Sequence, residues 1–361
     1  MCIVTVGFPP AEVGGTEIAA YELAKRLNKN FEVHVVTKYT KDTQFLEQRD
    51  NFAVHYVRNR LSWLRGIRFV TNFFSFIVEI RKIQPEIIYA RSLTPAGFVA
   101  TFYCKSYKIP CFVQCEGIDV LALPSWFKKT LGYFVVKYAT KIISATKDMA
   151  KKLAQDYGRK DVIIIENGVN SSEFENAKAK DLAYEKPRVI FVGRIDENKG
   201  VEYLAKAFLQ VRKNRKSASL LIVGDGPLKK ELENKYGDMD DIHFLGRIPH
   251  EEIPEYLAAC DLFVLPSIFE GQGLVLMEAL ASGLPIIASN LSGISELIID
   301  GENGMLTKAG DENELAEKIE LILDDKRLQT KISANNIKKG QLHDWKNICK
   351  QYIELFEGYK R

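Results

Sequence analysis

The segment Asp261–Ser289, DLFVLPSIFEGQGLVLMEALASGLPIIAS, reads as strand, loop, helix and strand. DLFVLPS is a short apolar run, LVLMEALAS has the length and composition of a helix, and PIIAS is a second short apolar run. Two strands joined through a helix make a parallel unit, which places the chain among α/β folds. Glu270 falls in the strand-to-helix loop, and Glu278 lies one to two turns into the helix. A helix starting near Gly273 offers unpaired backbone N–H groups and the positive end of its dipole, an arrangement suited to phosphate. Carboxylates flanking that anion would supply the acceptors that the hydroxyls of a sugar and a ribose need. Taken alone, the spacing favours a solvent-facing Glu278 and a helix-start Glu270 held by the dipole.

The same alternation runs outward through the chain. CIVTV, FEVHVVT, EIIYA, CFVQC and KIISAT read as strands that alternate with helical patterns such as TEIAAYELAKRL. It stops at a polar, charged seam from Val162 to Pro187 and restarts with RVIFVGR, SLLIVG, DIHFLG, DLFVLP, PIIAS and GMLTK. A length of 361 residues suits roughly two domains. The expectation is therefore two doubly wound domains facing across a cleft, with ligands at the carboxyl ends of the strands. HDWKNICKQYIELFEGYK reads as a helix placed after the second sheet is complete.

The net charge of +3 hides a division: residues 1–170 carry 24 Lys and Arg against 15 Asp and Glu, or +9, and the remaining 26 against 32 give −6. Much of the excess sits in two aromatic stretches without acids, RNRLSWLRGIRFVTNFFSF from Arg58 and WFKKTLGYFVVKYATK from Trp126. Such basic amphipathic segments suit an anionic membrane surface; a solvated basic face over an ordinary core stripe fits them as well. No recognition motif points to nucleic acid. Neither a signal peptide nor a membrane-length apolar run is evident, so the expected location is cytoplasmic, peripheral to the inner membrane face. The six cysteines lack paired C-x-x-C spacing, and free buried thiols are expected rather than zinc or disulfides.

Further loops fall at expected strand ends. GRIDENKG (193–200) puts Arg194 and Lys199 where two cations would clamp a diphosphate, and GDGP (224–227) fits either close approach to a ligand or an ordinary turn. PPAEVGGTE sets Gly14 and Gly15 before the first helix, where backbone N–H groups approach phosphate or acceptor; the spacing is not the dinucleotide fingerprint, which disfavours a nicotinamide enzyme. QCEGIDVLALPSW places Glu116 and Asp119 after a strand, each a candidate general base or hydroxyl acceptor. Asp238-Met239-Asp240 mimics a metal-binding D-x-D, but it precedes a strand and so reads as a solvated turn at the amino edge.

Taken together, Gly14-Gly15, GRIDENKG, GDGP, LGRIPHEEIPEYLAACDLFVLPS and EGQGLVLMEALASGLPIIAS resemble the retaining glycosyltransferases of family 4. The likeness covers nearly the whole chain; it is strongest from about 188 to 307 and weakest from about 40 to 85. It implies the GT-B fold, with an acceptor-side Rossmann-like domain over 1–168, a linker over 169–187, a nucleotide-sugar-binding domain over 188–342 and a helix over 343–361 that crosses back to the first domain. By resemblance, Glu270 would contact donor-sugar hydroxyls near the reacting centre and Glu278 would hold the ribose. Arg194 and Lys199 would stabilise the leaving diphosphate with backbone N–H groups of Gly271, Gln272, Gly273 and Leu274, and Gly15 would approach it from the first domain. Cations and helix dipoles would stand in for a metal, so neither a metal nor a cofactor is expected beyond a UDP- or GDP-sugar donor. Two positions depart from the family's pattern: Glu116 stands where many relatives carry histidine, and Gln272 replaces an apolar residue.

The resemblance thus implies a retaining, metal-independent transferase moving a hexose to a glycan or lipid-linked acceptor. A sugar-nucleotide epimerase on a similar fold and a non-catalytic sugar-nucleotide-binding partner are the alternatives. The first would convert the donor without any acceptor.

Overall fold

The computed structural model describes residues 1–360 apart from 11, 13, 41–44, 59–67, 122–125, 238 and 240, and of residues 68, 118 and 121 the backbone only. The chain divides into two compact units, Met1–Asn167 with Trp345–Arg361, and Gly168–Asp344. The Asp238-Met239-Asp240 turn and the basic stretch holding Arg60 and Arg65 lie at least partly outside the described residues.

The first unit is built on strands β1 (Cys2–Val4), β2 (His34–Lys38), β3 (Leu46–Arg49), β4 (Phe52–Val57), β5 (Ile88–Arg91), β6 (Cys111–Cys115), β7 (Lys141–Ser144) and β8 (Val162–Ile164). Their order in the sheet is β3-β4-β2-β1-β5-β6-β7-β8. The pairings are parallel except for the β3–β4 hairpin. That hairpin turns on Asp50 and Asn51, both at positive φ (46° and 68°), the conformation of a two-residue turn matched to strand twist. Helices α1 (Gly15–Leu27), α2 (Arg68–Ile83), α3 (Ala96–Tyr107), α4 (Ile118–Leu121), α5 (Trp126–Tyr138) and α6 (Lys147–Tyr157) make the connections. β1, β5 and β6 are buried along their whole length, as strands covered on both faces must be, which is why they read as unbroken apolar runs.

The second unit begins with α7 (Ser171–Glu175) and alternates β9 (Arg188–Val192), α8 (Val201–Asn214), β10 (Ser219–Val223), α9 (Lys229–Tyr236), β11 (Ile242–Gly246), α10 (Ile253–Ala258), β12 (Leu262–Leu265), α11 (Leu274–Ala281), β13 (Ile286–Ser289), α12 (Ser292–Ser295) and β14 (Met305–Thr307). It closes with α13 (Glu312–Asp324) and α14 (Lys326–Leu342). All six strands are parallel, in the order β11-β10-β9-β12-β13-β14. The order reverses at β9, so the loops leaving β9 and β12 meet at a topological switch point, where open α/β sheets bind their ligands.

The stretch expected to be a linker, 169–187, is instead packed into this unit. Val169 and Phe174 belong to its core. The Arg188 guanidinium donates to the carbonyls of Leu182, Tyr184 and Ala259 and ties the stretch down. Apolar side chains and an arginine fork override the polar composition that marked it as a connection. The helix α15 (Trp345–Glu357) completes the first unit. Its buried stripe, Trp345, Ile348, Cys349, Tyr352 and Phe356, follows helical periodicity; Phe356 packs edge-on against Phe31 and Phe112, and the Tyr352 hydroxyl donates to Gln114 Oε1 at 2.9 Å.

Candidate functional site

In the second unit the loop leaving β9 makes a short turn capped by Asp196, whose carboxylate accepts from the Asn198 N–H at 3.1 Å. Asn198 then accepts, through its carbonyl, the N–H groups of Ile268 (2.7 Å) and Phe269 (3.2 Å), which stitches the β9 loop to the β12 loop. Gly200, at φ +64°, allows this closeness; a Cβ there would stand 3.1 Å from the Pro266 carbonyl carbon and nearer still to its oxygen.

Across this seam Lys199 pairs with Glu270 through Oε2, to which the Ser267 hydroxyl also donates at 3.4 Å. The two charged side chains are only 22% and 12% exposed. Arg194 is different: 70% exposed, it faces Asp196 at 3.2 Å. The sequence placed both cations in one loop, and the structure joins only Lys199 to Glu270. Of the backbone groups expected to face phosphate, the Gly271 N–H is engaged by Glu270 Oε1 at 3.2 Å. Gly273, at φ +69°, is the N-cap of α11 and has no side chain to cap it, so the first turn at Leu274 keeps its dipole end without a capping side chain. Gln272 is buried rather than presented at the surface.

Glu278, half a helix further on, is 12% exposed and bonds through Oε1 to His250 Nε2 at 2.7 Å. The edge of Phe174 packs on the His250 ring, so the 169–187 stretch buttresses this pair. His250 was not singled out in the sequence; its only signal is its place just after a strand, in GRIPH. Gly293 was missed for want of any signal. A Cβ there would lie 2.6 Å from the Gly271 carbonyl carbon and 3.3 Å from the Glu270 oxygen, so the β12 loop rests directly on a glycine. The glycines of GDGP serve a similar purpose. Gly224 and Gly226 lie under the backbone of Gly193 and Ile195, and the Ile195 N–H donates to the Asp225 carbonyl at 2.9 Å. Their bareness is used by a neighbouring loop.

The first unit has its own switch point, between β1 and β5. Arg91, the buried last residue of β5, donates from Nε to Glu116 Oε1 at 2.7 Å, and the Thr16 hydroxyl of α1 reaches Glu116 Oε2 at 3.4 Å. Asp119 turns inward: its carboxylate accepts the N–H groups of Leu93 (2.5 Å) and Glu116 (2.9 Å). Burial pushes its pKa up to about 6. It holds the loop that presents Glu116. Gly14 caps the start of α1 and Gly15 is that helix's first residue. A Cβ on Gly14 would stand 2.7 Å from Glu17 Oε2, and the Glu17 pKa is likewise raised by burial, with Glu12 and Glu116 adding to it. The glycine pair thus borders carboxylates. Among the described residues no group of three or more His, Cys, Asp or Glu side chains is arranged to hold a metal ion.

Two family models match the chain: glycosyltransferase family 4 over residues 13–173, and glycosyl transferases group 1 over residues 172–339. A GDP-mannose-dependent alpha-mannosyltransferase of Corynebacterium glutamicum is 32% identical, the match covering 77% of this chain and 68% of that one. An uncharacterized glycosyltransferase of Methanocaldococcus jannaschii is 29% identical over 96% of this chain and 95% of its own length. Among solved structures, sucrose-phosphate synthase from Thermosynechococcus elongatus superposes with a TM-score of 0.84 at 23% identity, covering 99% of this chain and 98% of that one. Anabaena HepE in complex with UDP-glucose superposes with a TM-score of 0.82 at 22% identity, covering 99% and 100%.

Proposed function

Since this chain belongs to the group 1 glycosyltransferases and has their GT-B fold, we propose that it is a retaining hexosyltransferase, metal-independent, using a UDP- or GDP-sugar and a glycan or lipid-linked acceptor at the cytoplasmic face of a membrane. One observation carries the reading: the Lys199–Glu270 pair, poised at the β9/β12 switch point beside the start of α11. In the structure these charges satisfy each other. An arriving diphosphate gives Lys199 a better partner, and Glu270 is released to accept hydroxyls of the donor sugar. Arg194, exposed, closes on the diphosphate as a second cation, with the N–H groups from Gln272 to Leu274 at the helix end. Glu278 takes the ribose hydroxyls, its carboxylate oriented by His250.

As the bond from the anomeric carbon to the phosphate oxygen breaks, negative charge grows on the diphosphate, and these donors and cations stabilise it. The acceptor oxygen bonds to the anomeric carbon from the face the phosphate leaves, and its proton passes to the departing phosphate oxygen. Glu116, fixed by Arg91, Thr16 and the Asp119-braced loop, together with Glu17, accepts hydroxyls of the acceptor. A wall of carboxylates favours hydroxyl groups over anions at that edge. Names among the relatives and neighbours span both donor nucleotides, GDP-mannose for one and UDP-glucose for another.

The test is transfer from UDP- and GDP-hexoses in the presence of a chelator, with the anomeric configuration of the product read by NMR. An α-linked product from an α-donor, unaffected by chelator and lost in Glu270→Gln, is expected. An inverted product, chelator sensitivity, or epimerised donor without acceptor refutes the reading.

A further inference from the structure

Helices α2, α3 and α5 pack in series on one side of the first unit's sheet and leave an apolar face toward solvent. On α2, Val70, Phe74 and Val78 recur every four residues and are 49%, 60% and 55% exposed, so the helix carries a second apolar stripe besides the one it buries. Phe102 of α3 (42%) and Trp126 and Phe127 of α5 (80% and 43%) extend it. The exposed rings are linked through partly buried ones. Phe74 contacts Phe73, which contacts Phe102 at 5.1 Å and Phe98 at 5.6 Å; Phe98 meets Phe69, and Phe69 meets Phe127 at 5.5 Å beside Trp126. An exposed apolar face of this kind marks an interaction site.

Charge identifies the occupant. The three helices carry seven Lys and Arg and a single acid, Glu79, which Lys82 and His55 already hold at 2.8 and 3.0 Å. Aromatic side chains flanked by Lys105, Lys128, Lys129 and Lys137 match the boundary between headgroups and acyl chains of an anionic bilayer. A second copy of the same face would bring like charges together. We infer that this face docks the protein on an anionic lipid bilayer, with Phe74, Phe102 and Trp126 entering the acyl boundary and the lysines contacting headgroups. The inference rests on the proposed lipid-linked acceptor only for its purpose, which is to hold the protein at the membrane that carries such an acceptor.

The test uses the full chain and no transfer assay: cosedimentation with vesicles of phosphatidylcholine, alone or with 30–50% (about equal parts at most) phosphatidylglycerol, at low and high salt. Wild type is expected to bind only the anionic vesicles and to keep part of that binding in high salt. Phe74→Ser/Phe102→Ser/Trp126→Ser should lose at least about tenfold, and Lys105→Gln/Lys128→Gln/Lys129→Gln/Lys137→Gln roughly fivefold per charge at low salt. These positions are exposed, and an unchanged shift in melting temperature with a nucleotide shows that the variants remain folded. No binding by wild type, or equal binding by the aromatic variant, overturns the inference. So does a dimer in sedimentation analysis that the aromatic variant converts to monomer, since the face would then join two copies. Failure of the separate transfer test above would refute the proposed function and leave a vesicle-binding result, and with it the docking surface, standing.

Discussion

Gly293→Ala probes how closely the β12 loop is seated. The added Cβ would lie 2.6 Å from the Gly271 carbonyl carbon, with the Gly271 oxygen closer still, and 3.3 Å from the Glu270 oxygen. Carbon atoms rest about 3.5–4.0 Å apart, so the loop must retreat by roughly 1 Å. Both contacts are backbone, and no rotamer change relieves them. The segment displaced carries Glu270 and the N–H groups beside it. Misplacement of a reacting group by about 1 Å costs on the order of 10²-fold, so kcat/KM is expected to fall about a hundredfold, or roughly 2.7 kcal/mol of transition-state stabilisation. Overpacking should lower stability by about 1–3 kcal/mol and leave the chain folded. The assay is steady-state transfer beside thermal unfolding, with Gly358→Ala as control, because a Cβ there meets nothing nearer than 3.6 Å. Wild-type kinetics in a folded Gly293→Ala protein would refute the argument that this glycine seats the loop.

In Glu270→Gln, Lys199 loses its anionic partner, so affinity for the nucleoside diphosphate should hold or rise while transfer falls at least about 10²-fold; calorimetry showing weaker nucleotide binding would count against the exchange of partners. Phe356→Ala empties a fully buried site against Phe31, Tyr89 and Phe112 and should cost about 3–5 kcal/mol by denaturant unfolding; a loss under 1 kcal/mol would mean the helix is loosely attached. Asp119 titrates near 6 in the folded chain against about 3.9 unfolded. Between those values the native state holds the extra proton, so this group's contribution to stability falls as pH rises from about 4 to 6. Relative to wild type, Asp119→Asn should therefore gain stability over that window, and melting temperatures with the opposite trend would refute the assignment.

The strand runs of the second unit were legible because parallel strands buried on both faces announce themselves as apolar runs, and because the β12–α11 loop keeps its chemistry within one local stretch. Glu270, Gly273 and Glu278 stand within nine residues of one another. What escaped was set by tertiary register. His250 meets Glu278 from 28 residues away, and Arg91 meets Glu116 from 25, since the partners lie on elements that only the sheet order brings together. The glycines of GDGP fitted a ligand contact and an ordinary turn alike, because a sequence cannot distinguish a backbone that approaches a ligand from one that approaches another loop. The β3–β4 hairpin did leave a trace, in the Asp50-Asn51 turn before an alternating FAVHYV.

The place of α15 also sets a timetable for synthesis. The first unit's residues emerge from the ribosome early, but Tyr89, Phe31 and Phe112 gain their cover only when residues 345–357 follow. Between them the whole of Gly168–Asp344 must be translated, roughly 9–35 s at about 5–20 residues per second. During that interval the apolar side chains that α15 covers are without it, while the second unit, contiguous in sequence, can finish as it leaves the exit tunnel.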